Sequence, residues 1–226
     1  MKLHIFYGGT FDPVHNGHLV IARHARDVFA TTIHLMPSAD PPHRATPGAT
    51  AAQRAEMLEL GVANVPGLSV DRCELARGGR SYSIDTVRAI RAGLGEAAGQ
   101  PEAAVVLVVG ADSFLGFAGW HEWRALLDLT HLVIAERPGS TLDAGMPAEL
   151  ASAMRARWAD APSELADAPS GRVLRLRQPL HGESATDIRQ RIAAGEPWQA
   201  LVPPAVAEYI DTHRLYVNGP AAPARL

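Results

Sequence analysis

The sequence predicts an α/β fold in which helices flank a doubly wound parallel sheet, within a single domain. Apolar runs rich in β-branched residues alternate with helical patterns along the chain, as they do in folds of this class. The run 103–109 is almost continuously apolar, which is typical of a central parallel strand buried on both faces. A chain of 226 residues is long enough for one such domain with a substantial core. We expect the domain to span residues 1–218, with a helical part from about residue 184, and residues 219–226 to form a flexible tail.

The predicted elements follow one another in the order that a Rossmann-like sheet requires. Alternating apolar residues near the N-terminus predict the first strand, and the amphipathic pattern that follows predicts the first helix. Right-handed crossovers between parallel strands place the strand carboxyl ends, and the loops after them, along one edge of the sheet. Within an Ala- and Pro-rich region, residues 147–159 could form a further helix. The predicted strands are 2–7, 32–36, 68–72, 103–109, 131–135 and 173–176, and the predicted helices are 19–29, 50–62, 84–98, 122–127, 186–194 and 205–212.

The composition excludes several classes of protein. The formal net charge is −3 and the isoelectric point is near 6.4, so the chain lacks the overall basic charge of nucleic-acid-binding proteins. Cys73 is the only cysteine, which excludes an intramolecular disulfide and is consistent with a reducing compartment. No apolar run approaches the length of a membrane span. We expect a cytoplasmic protein with no membrane and no nucleic-acid partner, and the sequence leaves open whether it is a homo-oligomer.

Residues 8–18, Gly-Gly-Thr-Phe-Asp-Pro-Val-His-Asn-Gly-His, join the first strand to the first helix. Gly8 and Gly9 allow the backbone to approach a ligand closely, because they carry no Cβ. A helix N-terminus offers unpaired N–H groups and the positive end of its dipole to an anion. His15 and His18 stand three residues apart, so both side chains can point at that anion. The pattern favours a site where a nucleotide phosphate is attacked over an ordinary strand–helix junction.

A second phosphate site is predicted at residues 184–189. Ser184 is a credible helix N-cap, Thr186 falls in the first turn and Arg189 lies one turn further along. Hydroxyls, helix N–H groups and a guanidinium together suit a polyphosphate. A capped surface helix would use the same residues. Arg54, in the helix predicted at 50–62, is interpreted as a solvated or structural charge outside the site.

Further candidates follow the buried strand 103–109. Gly110 and Asp112 stand where this strand ends, and a carboxylate there suits sugar hydroxyls. Asp112 could equally cap the next short helix. Trp120 offers a flat indole face to a planar heterocycle, although most tryptophans belong to cores, and Trp123 is interpreted as packing.

These motifs resemble those of a known family. Residues 9–13, with His15 and His18, are similar to the signature of the nucleotidyltransferase superfamily with its His-x-Gly-His motif. Residues 184–189 resemble the Ser-x-Thr-x-Ile-Arg motif with which that superfamily holds the β- and γ-phosphates of ATP. The resemblance implies adenylyl or cytidylyl transfer.

Three more segments resemble the bacterial nicotinate mononucleotide adenylyltransferases within that superfamily. They are the Pro-Pro-His-Arg loop at 41–44, the Ser-Tyr-Ser-x-x-Thr helix start at 81–86, and Trp120 after Gly-x-Asp-Ser. The usual second hydroxyl residue of the helix start is Thr, where this chain has Ser83. The resemblance implies that the loop lies near the substrate phosphate, that the helix start receives the nicotinate carboxylate, and that the indole stacks on the pyridine ring. The implied substrate-binding residues are His43, Arg44, Tyr82, Ser83, Thr86 and Trp120.

The resemblance implies transfer of the adenylyl group of ATP to nicotinate mononucleotide, giving nicotinate adenine dinucleotide and pyrophosphate in NAD biosynthesis. A phosphate monoester is already an anionic nucleophile, so catalysis is expected from alignment and charge stabilisation, with His15 and His18 as catalytic residues. Mg²⁺ is expected to be carried by the ATP phosphates, without a dedicated protein metal site. The implied ATP-binding residues are Gly8, Gly9, Thr10, Phe11, Gly110, Asp112, Ser184, Thr186 and Arg189.

Other acceptors and another class of protein stay open at this point. Nicotinamide mononucleotide differs from the acid by one charge, and no side chain in the sequence decides between the two. Phosphopantetheine adenylyltransferases share the first motif but should lack the helix start at 81–86 and the Trp120 platform. A non-catalytic nucleotide-binding module would be favoured by loss of a motif His or of Arg189, and all three residues are present.

Overall fold

The computed structural model describes residues 1–41, 47–96, 103–136, 142–177 and 182–217. The strands in these ranges form one parallel sheet. Within these ranges the strands are β1 (Leu3–Gly9), β2 (Ile33–Pro37), β3 (Leu68–Val70), β4 (Ala104–Gly110), β5 (His131–Ala135) and β6 (Val173–Leu176). Their order across the sheet is β3-β2-β1-β4-β5-β6, and every neighbouring pair is parallel. The predicted Rossmann-like parallel sheet is confirmed.

The helices agree with the predicted pattern and differ from it at their ends. In the described ranges they are α1 (Asn16–Phe29), α2 (Ala51–Val62), α3 (Cys73–Arg77), α4 (Ser83–Glu96), α5 (Ala111–Leu115), α6 (Trp123–Leu129), α7 (Leu142–Gly145), α8 (Ala148–Met154), α9 (Ala185–Ala194) and α10 (Pro204–Thr212). α1 begins three residues before its predicted start, because His15 occupies its N-cap. The helix predicted at 147–159 covers only α8, and α3 was not predicted. The carboxylate of Asp71 supports the start of α3 by accepting the Cys73 N–H at 2.8 Å.

Helices cover both faces of the sheet, because successive residues of a strand face opposite sides. In β4, Val106 and Val108 belong to one core layer, whereas Val105, Leu107 and Val109 belong to the other. Side chains of α1, α2, α9 and α10 complete the first layer, and those of α4, α5, α6 and α8 complete the second. The continuous apolar run of β4 is explained by its burial on both faces.

The change of winding direction lies between β1 and β4, which are neighbours at the centre of the sheet. Ligands of doubly wound sheets bind outside the carboxyl ends of the strands at this point. β1 ends at Gly9 and β4 ends at Gly110, so the loops that follow both strands border one crevice.

The C-terminal helices belong to the same core as the start of the chain. Ile188 of α9 and Ile210 of α10 lie in one buried cluster with Ile5 and Tyr7 of β1. The flexible tail predicted at 219–226 lies outside the described residues. No helix of the described ranges is long and apolar enough to cross a membrane.

Candidate active site

The turn after β1 is shaped by Gly9 and Phe11. A Cβ on Gly9 would lie 2.9 Å from the Phe11 ring, closer than real Cβ atoms approach, so any other residue here would force this ring to shift. Phe11 has a φ of 50°, in the left-handed region, and its ring is buried. The ring therefore covers the end of β1 as the chain passes into α1.

His15 and His18 are brought into direct contact at the start of α1. Their rings stack with centroids 3.6 Å apart, and the His15 backbone N–H donates to Nδ1 of His18 at 3.3 Å. Because Nδ1 accepts, the neutral His18 ring carries its proton on Nε2. The His18 ring also meets Phe11 edge-on, with centroids 5.0 Å apart. His15 is buried and His18 is half-buried, so this pair is fixed in place by its surroundings.

The N-terminus of α1 is suited to an anion. Its first turn contains no acidic residue, and its N-cap residue is His15 rather than Asp or Glu. The helix dipole and the first amides therefore favour negative charge here. This agrees with the phosphate site that the sequence predicts at residues 8–18.

Asp12 connects this turn to two other parts of the chain. Its carboxylate accepts the backbone N–H of Gly48 at 2.8 Å and that of Ala49 at 3.1 Å. It also accepts the hydroxyl of Tyr216 at 2.7 Å. Asp12 is buried, so these three donors compensate for the loss of water around its charge.

The second predicted phosphate motif lies against this same turn. Ser184 is the N-cap of α9 and accepts the Asp187 N–H at 3.1 Å, as predicted. Nη1 of Arg189 donates to the carbonyl oxygen of Asp12 at 2.5 Å and lies 3.7 Å from the Asp12 carboxylate. Nη2 of Arg189 donates to the hydroxyl of Thr186 at 3.4 Å. The hydrogen bond from Arg189 to the Asp12 carbonyl joins residues 177 positions apart. The two sequence motifs therefore lie side by side.

Arg54 is a buried residue that hydrogen-bonds to the loops after β1 and β2. Its side chain is 1% exposed, so of the two predicted alternatives, a solvated or a structural charge, the structural one is correct. Nη1 donates to the carbonyl of Thr10 at 2.6 Å, and Nη2 donates to those of Ser38 at 2.7 Å and Ala39 at 3.1 Å. Burial lowers the pKa of the Arg54 guanidinium, and the nearby Asp12 carboxylate opposes that shift. Arg54 thus ties the loop after β1 to the loop after β2.

The end of β4 opens toward the crevice. Gly110 is the N-cap of α5, and a Cβ at this position would meet no other atom within 4 Å. Asp112 is exposed in the first turn of α5. The alternative that Asp112 caps this helix is wrong, because the helix begins one residue earlier, at Ala111.

Two of the predicted substrate-binding residues, Tyr82 and Ser83, lie at the start of α4. Ser81 accepts the N–H groups of Ala39 and Asp40, at 2.8 and 3.2 Å, and so joins the loop after β2 to this helix. Ser83 is the first residue of α4 and Tyr82 precedes it, with its ring 4.7 Å from that of His121.

The two tryptophans have different surroundings. Trp120 is half-buried, with its ring centroid 5.1 Å from that of Phe117. Trp123 is 6% exposed and belongs to the core, which confirms its interpretation as packing.

Thr86 is turned into the protein rather than toward the crevice. Its hydroxyl donates to the carboxylate of Glu74 at 2.7 Å and accepts from Nη1 of Arg77 at 2.9 Å. The side chain is 1% exposed. These contacts fix α3 against α4, and the predicted role of Thr86 as a substrate ligand stays a prediction.

The predicted substrate-binding roles of His43 and Arg44 stay predictions, because both residues lie outside the described residues. Among the residues that are described, no group of three or more His, Cys, Asp or Glu side chains could hold a metal ion together.

Comparison with known proteins identifies the family. A model of the family described as Cytidylyltransferase-like matches residues 6–191. A Stenotrophomonas maltophilia protein named "Probable nicotinate-nucleotide adenylyltransferase" is 53% identical over 221 residues, covering 96% of this chain and 97% of its own. A Xylella fastidiosa protein of the same name is 46% identical, covering 95% and 96%. This chain belongs to the nicotinate-nucleotide adenylyltransferase family.

The fold of this adenylyltransferase is shared with distant solved structures. A Plasmodium falciparum nicotinic acid mononucleotide adenylyltransferase complexed with NaAD superposes with a TM-score of 0.69 at 14% identity, covering 96% of this chain and 98% of the other. The same enzyme complexed with APC gives a TM-score of 0.68.

Three buried polar side chains near the candidate site, those of Arg54, Glu74 and Tyr216, are not predicted from the sequence to belong to it. Each has a buried polar group whose partners come from distant parts of the chain. For Arg54 a weak signal existed, since a lone Arg on a helix that follows a ligand loop can reach back to that loop. For Tyr216 and Glu74 the sequence contains no local pattern that reveals the partner.

Proposed function

We propose that this chain transfers the adenylyl group of ATP to the phosphate of nicotinate mononucleotide and releases pyrophosphate. One observation carries the proposal: Arg189 donates to the Asp12 carbonyl across 177 positions of sequence. This hydrogen bond joins the turn that precedes the two histidines to the first turns of α9. Adenylyl transfer needs both anion-binding regions within the length of one triphosphate.

The chemistry requires one bond to form and one to break. An oxygen of the 5′-phosphate of nicotinate mononucleotide bonds to the α-phosphorus of ATP. The bond from that phosphorus to the oxygen bridging to the β-phosphate breaks, and this oxygen leaves with pyrophosphate. The attacking monoester is already anionic, so the protein contributes alignment and stabilisation of phosphoryl charge.

The phosphates are held from two sides in this proposal. His18 donates from Nε2 to an oxygen of the α-phosphate, and His15 steadies the attacking phosphate. The amides of Gly8 and Gly9, with Thr10, line the path between them. The hydroxyls of Ser184 and Thr186 and the guanidinium of Arg189 hold the departing pyrophosphate. Phe11 shapes the turn on which these contacts depend.

Other residues bind the pyridine ring and carboxylate of the nicotinate nucleotide and the sugar of ATP. Trp120 stacks on the pyridine ring, and the first amides of α4 at Ser83 receive the nicotinate carboxylate. Gly110 and Asp112 face the sugar of ATP. Mg²⁺ enters with ATP as part of the substrate, because it keeps several waters and prefers phosphate oxygens. We assign the reaction to the cytoplasm, in keeping with the single cysteine.

The proposal is tested by following pyrophosphate release from MgATP with three acceptors supplied separately: nicotinate mononucleotide, nicotinamide mononucleotide and phosphopantetheine. A reaction without acceptor measures background hydrolysis. We expect the fastest release with nicotinate mononucleotide and a product with the mass of nicotinate adenine dinucleotide.

Any other pattern of pyrophosphate release would change the proposed acceptor or refute the proposed activity. Faster release with nicotinamide mononucleotide or phosphopantetheine would reassign the acceptor. Release with none of the three would refute the proposed enzyme activity.

A further inference from the structure

Tyr216, near the C-terminus, reaches into the region of the proposed site. Its hydroxyl donates to Oδ1 of Asp12 at 2.7 Å, although the two residues are 204 positions apart. The side chain is 8% exposed, and the residue has a φ of 66°, in the left-handed region. Arg214, two residues earlier, also has a positive φ, so the chain after α10 turns sharply to bring the Tyr216 ring inward.

The Tyr216 ring also determines what can occupy position 48. A Cβ on Gly48 would lie 2.8 Å from Cδ1 of this ring, so the ring packs directly on the glycine backbone. The N–H of Gly48 and that of Ala49 donate to the same Asp12 carboxylate. Tyr216 and the two residues Gly48 and Ala49, which precede α2, thereby all hydrogen-bond to the Asp12 carboxylate.

Arg189 depends on Asp12 for its orientation. The carbonyl of Asp12 accepts from Nη1 of Arg189, and its carboxylate lies 3.7 Å from the same nitrogen. Arg191, on the same helix, instead pairs with Asp187 at the protein surface. Of these two arginines, Arg189 is the one directed at the turn after β1.

We propose that Tyr216 is a positioning residue for adenylyl transfer, acting through Asp12 on Arg189. The inference rests on the proposed function. The Tyr216 hydroxyl supplies one of three donors that share the charge of the buried carboxylate. Without that hydroxyl, the carboxylate attracts the Arg189 guanidinium more strongly and holds it away from the pyrophosphate.

The hydroxyl is well suited to a permanent role as donor. Burial, followed by the charge of Asp12, raises the pKa of Tyr216 above its ordinary value. The phenol therefore keeps its proton throughout the range in which the protein would work.

The test compares Tyr216→Phe with Tyr209→Phe. Both changes remove only a hydroxyl, and that of Tyr209 donates to the carboxylate of Glu56 in α2 instead of to Asp12. We expect Tyr216→Phe to lower kcat/KM for MgATP about tenfold, since a hydrogen bond to a charged group is lost. We expect Tyr209→Phe to retain the wild-type value.

A double-mutant cycle with Arg189→Lys separates positioning from a general loss of structure. If Tyr216 acts through Arg189, the double variant loses little more activity than Arg189→Lys alone, because the two changes remove one shared effect. Independent losses that multiply would overturn the inference.

The wild-type measurement distinguishes this inference from the function on which it rests. A wild-type protein that transfers no adenylyl group refutes the proposed function and the inference with it. An active wild type matched by Tyr216→Phe overturns the inference alone.

Discussion

The imidazole rings of His15 and His18 stack 3.6 Å apart, and the backbone of the first residue donates to the ring of the second. This contact fixes both the orientation of the His18 ring and the nitrogen that carries its proton. Phe11 holds the ring from another side. If His18 is the donor in the proposed reaction, these contacts set it in position before substrate arrives, which is the condition for strong electrostatic stabilisation of a transition state.

Replacement of His18 by Ala tests this role directly. We expect kcat to fall by about 10²–10³, the typical cost of one preorganised donor to developing phosphoryl or oxyanion charge. Steady-state pyrophosphate release measures the effect, and circular dichroism checks the fold. His24→Ala, later on the same helix, is the matched control and should retain wild-type turnover. Near-normal turnover of a folded His18→Ala protein would remove His18 from the mechanism.

Substitution of Trp120 should weaken substrate binding, whereas substitution of Trp123 should lower stability. Trp120 is half-buried and is proposed to stack on the pyridine ring, so Trp120→Ala should raise KM for nicotinate mononucleotide about tenfold or more. Trp123 lies in the core, so Trp123→Ala should lower the free energy of unfolding by about 3–5 kcal/mol. KM comes from acceptor titrations and stability from urea denaturation. The assignment fails if Trp120→Ala leaves KM unchanged.

Patterns along the sequence predict most of the fold because they are local. The apolar run of β4 and the amphipathic pattern of α1 each follow from burial of one or two faces. The predicted start of α1 lies three residues too far along the chain, because His is not a usual N-cap residue and gives no start signal at position 15. The extent of α8 was overestimated in an Ala-rich segment, where helix propensity alone does not set the end.

The supports of the candidate site depend on tertiary contacts and could not be predicted in the same way. A lone Arg54 on an amphipathic helix looks like a solvated charge until the carbonyls of Thr10 and Ser38 are brought to it. Thr86 belongs to a motif, yet its hydroxyl turns toward Glu74. Such pairings join residues whose spacing carries no periodic signal.

Arg54→Met should destabilise the protein strongly. The change removes a buried guanidinium and leaves three loop carbonyls without their donor, at a cost of about 3–5 kcal/mol. Urea denaturation measures the difference in the free energy of unfolding. Arg88→Met serves as control, because Arg88 pairs with Glu122 at an exposed site where solvent screens the interaction. Equal effects of the two substitutions would show that Arg54 has no special structural role.

His131 should make stability depend on pH below neutrality. It is fully buried, Nε2 bonds the carbonyl of Ala168 at 2.9 Å, and Nδ1 accepts the N–H of Arg172 at 3.0 Å, so the folded ring is neutral. Burial lowers its pKa below the ordinary value of 6.5.

Between the lowered folded pKa and 6.5, the unfolded chain therefore binds a proton that the folded chain does not. The stabilisation from His131 is complete above pH 6.5 and falls as the pH drops toward the folded pKa, with a slope of about 1.4 kcal/mol per pH unit for one proton. Urea denaturation of the wild type and of His131→Gln across this range measures the difference in slope. His4 and His34, whose pKa values burial also lowers, retain their share of the slope in the variant. Exposed His213→Gln is the matched control and should keep the wild-type slope. Parallel pH profiles for the wild type and His131→Gln would show that the buried ring is not a source of the acid sensitivity.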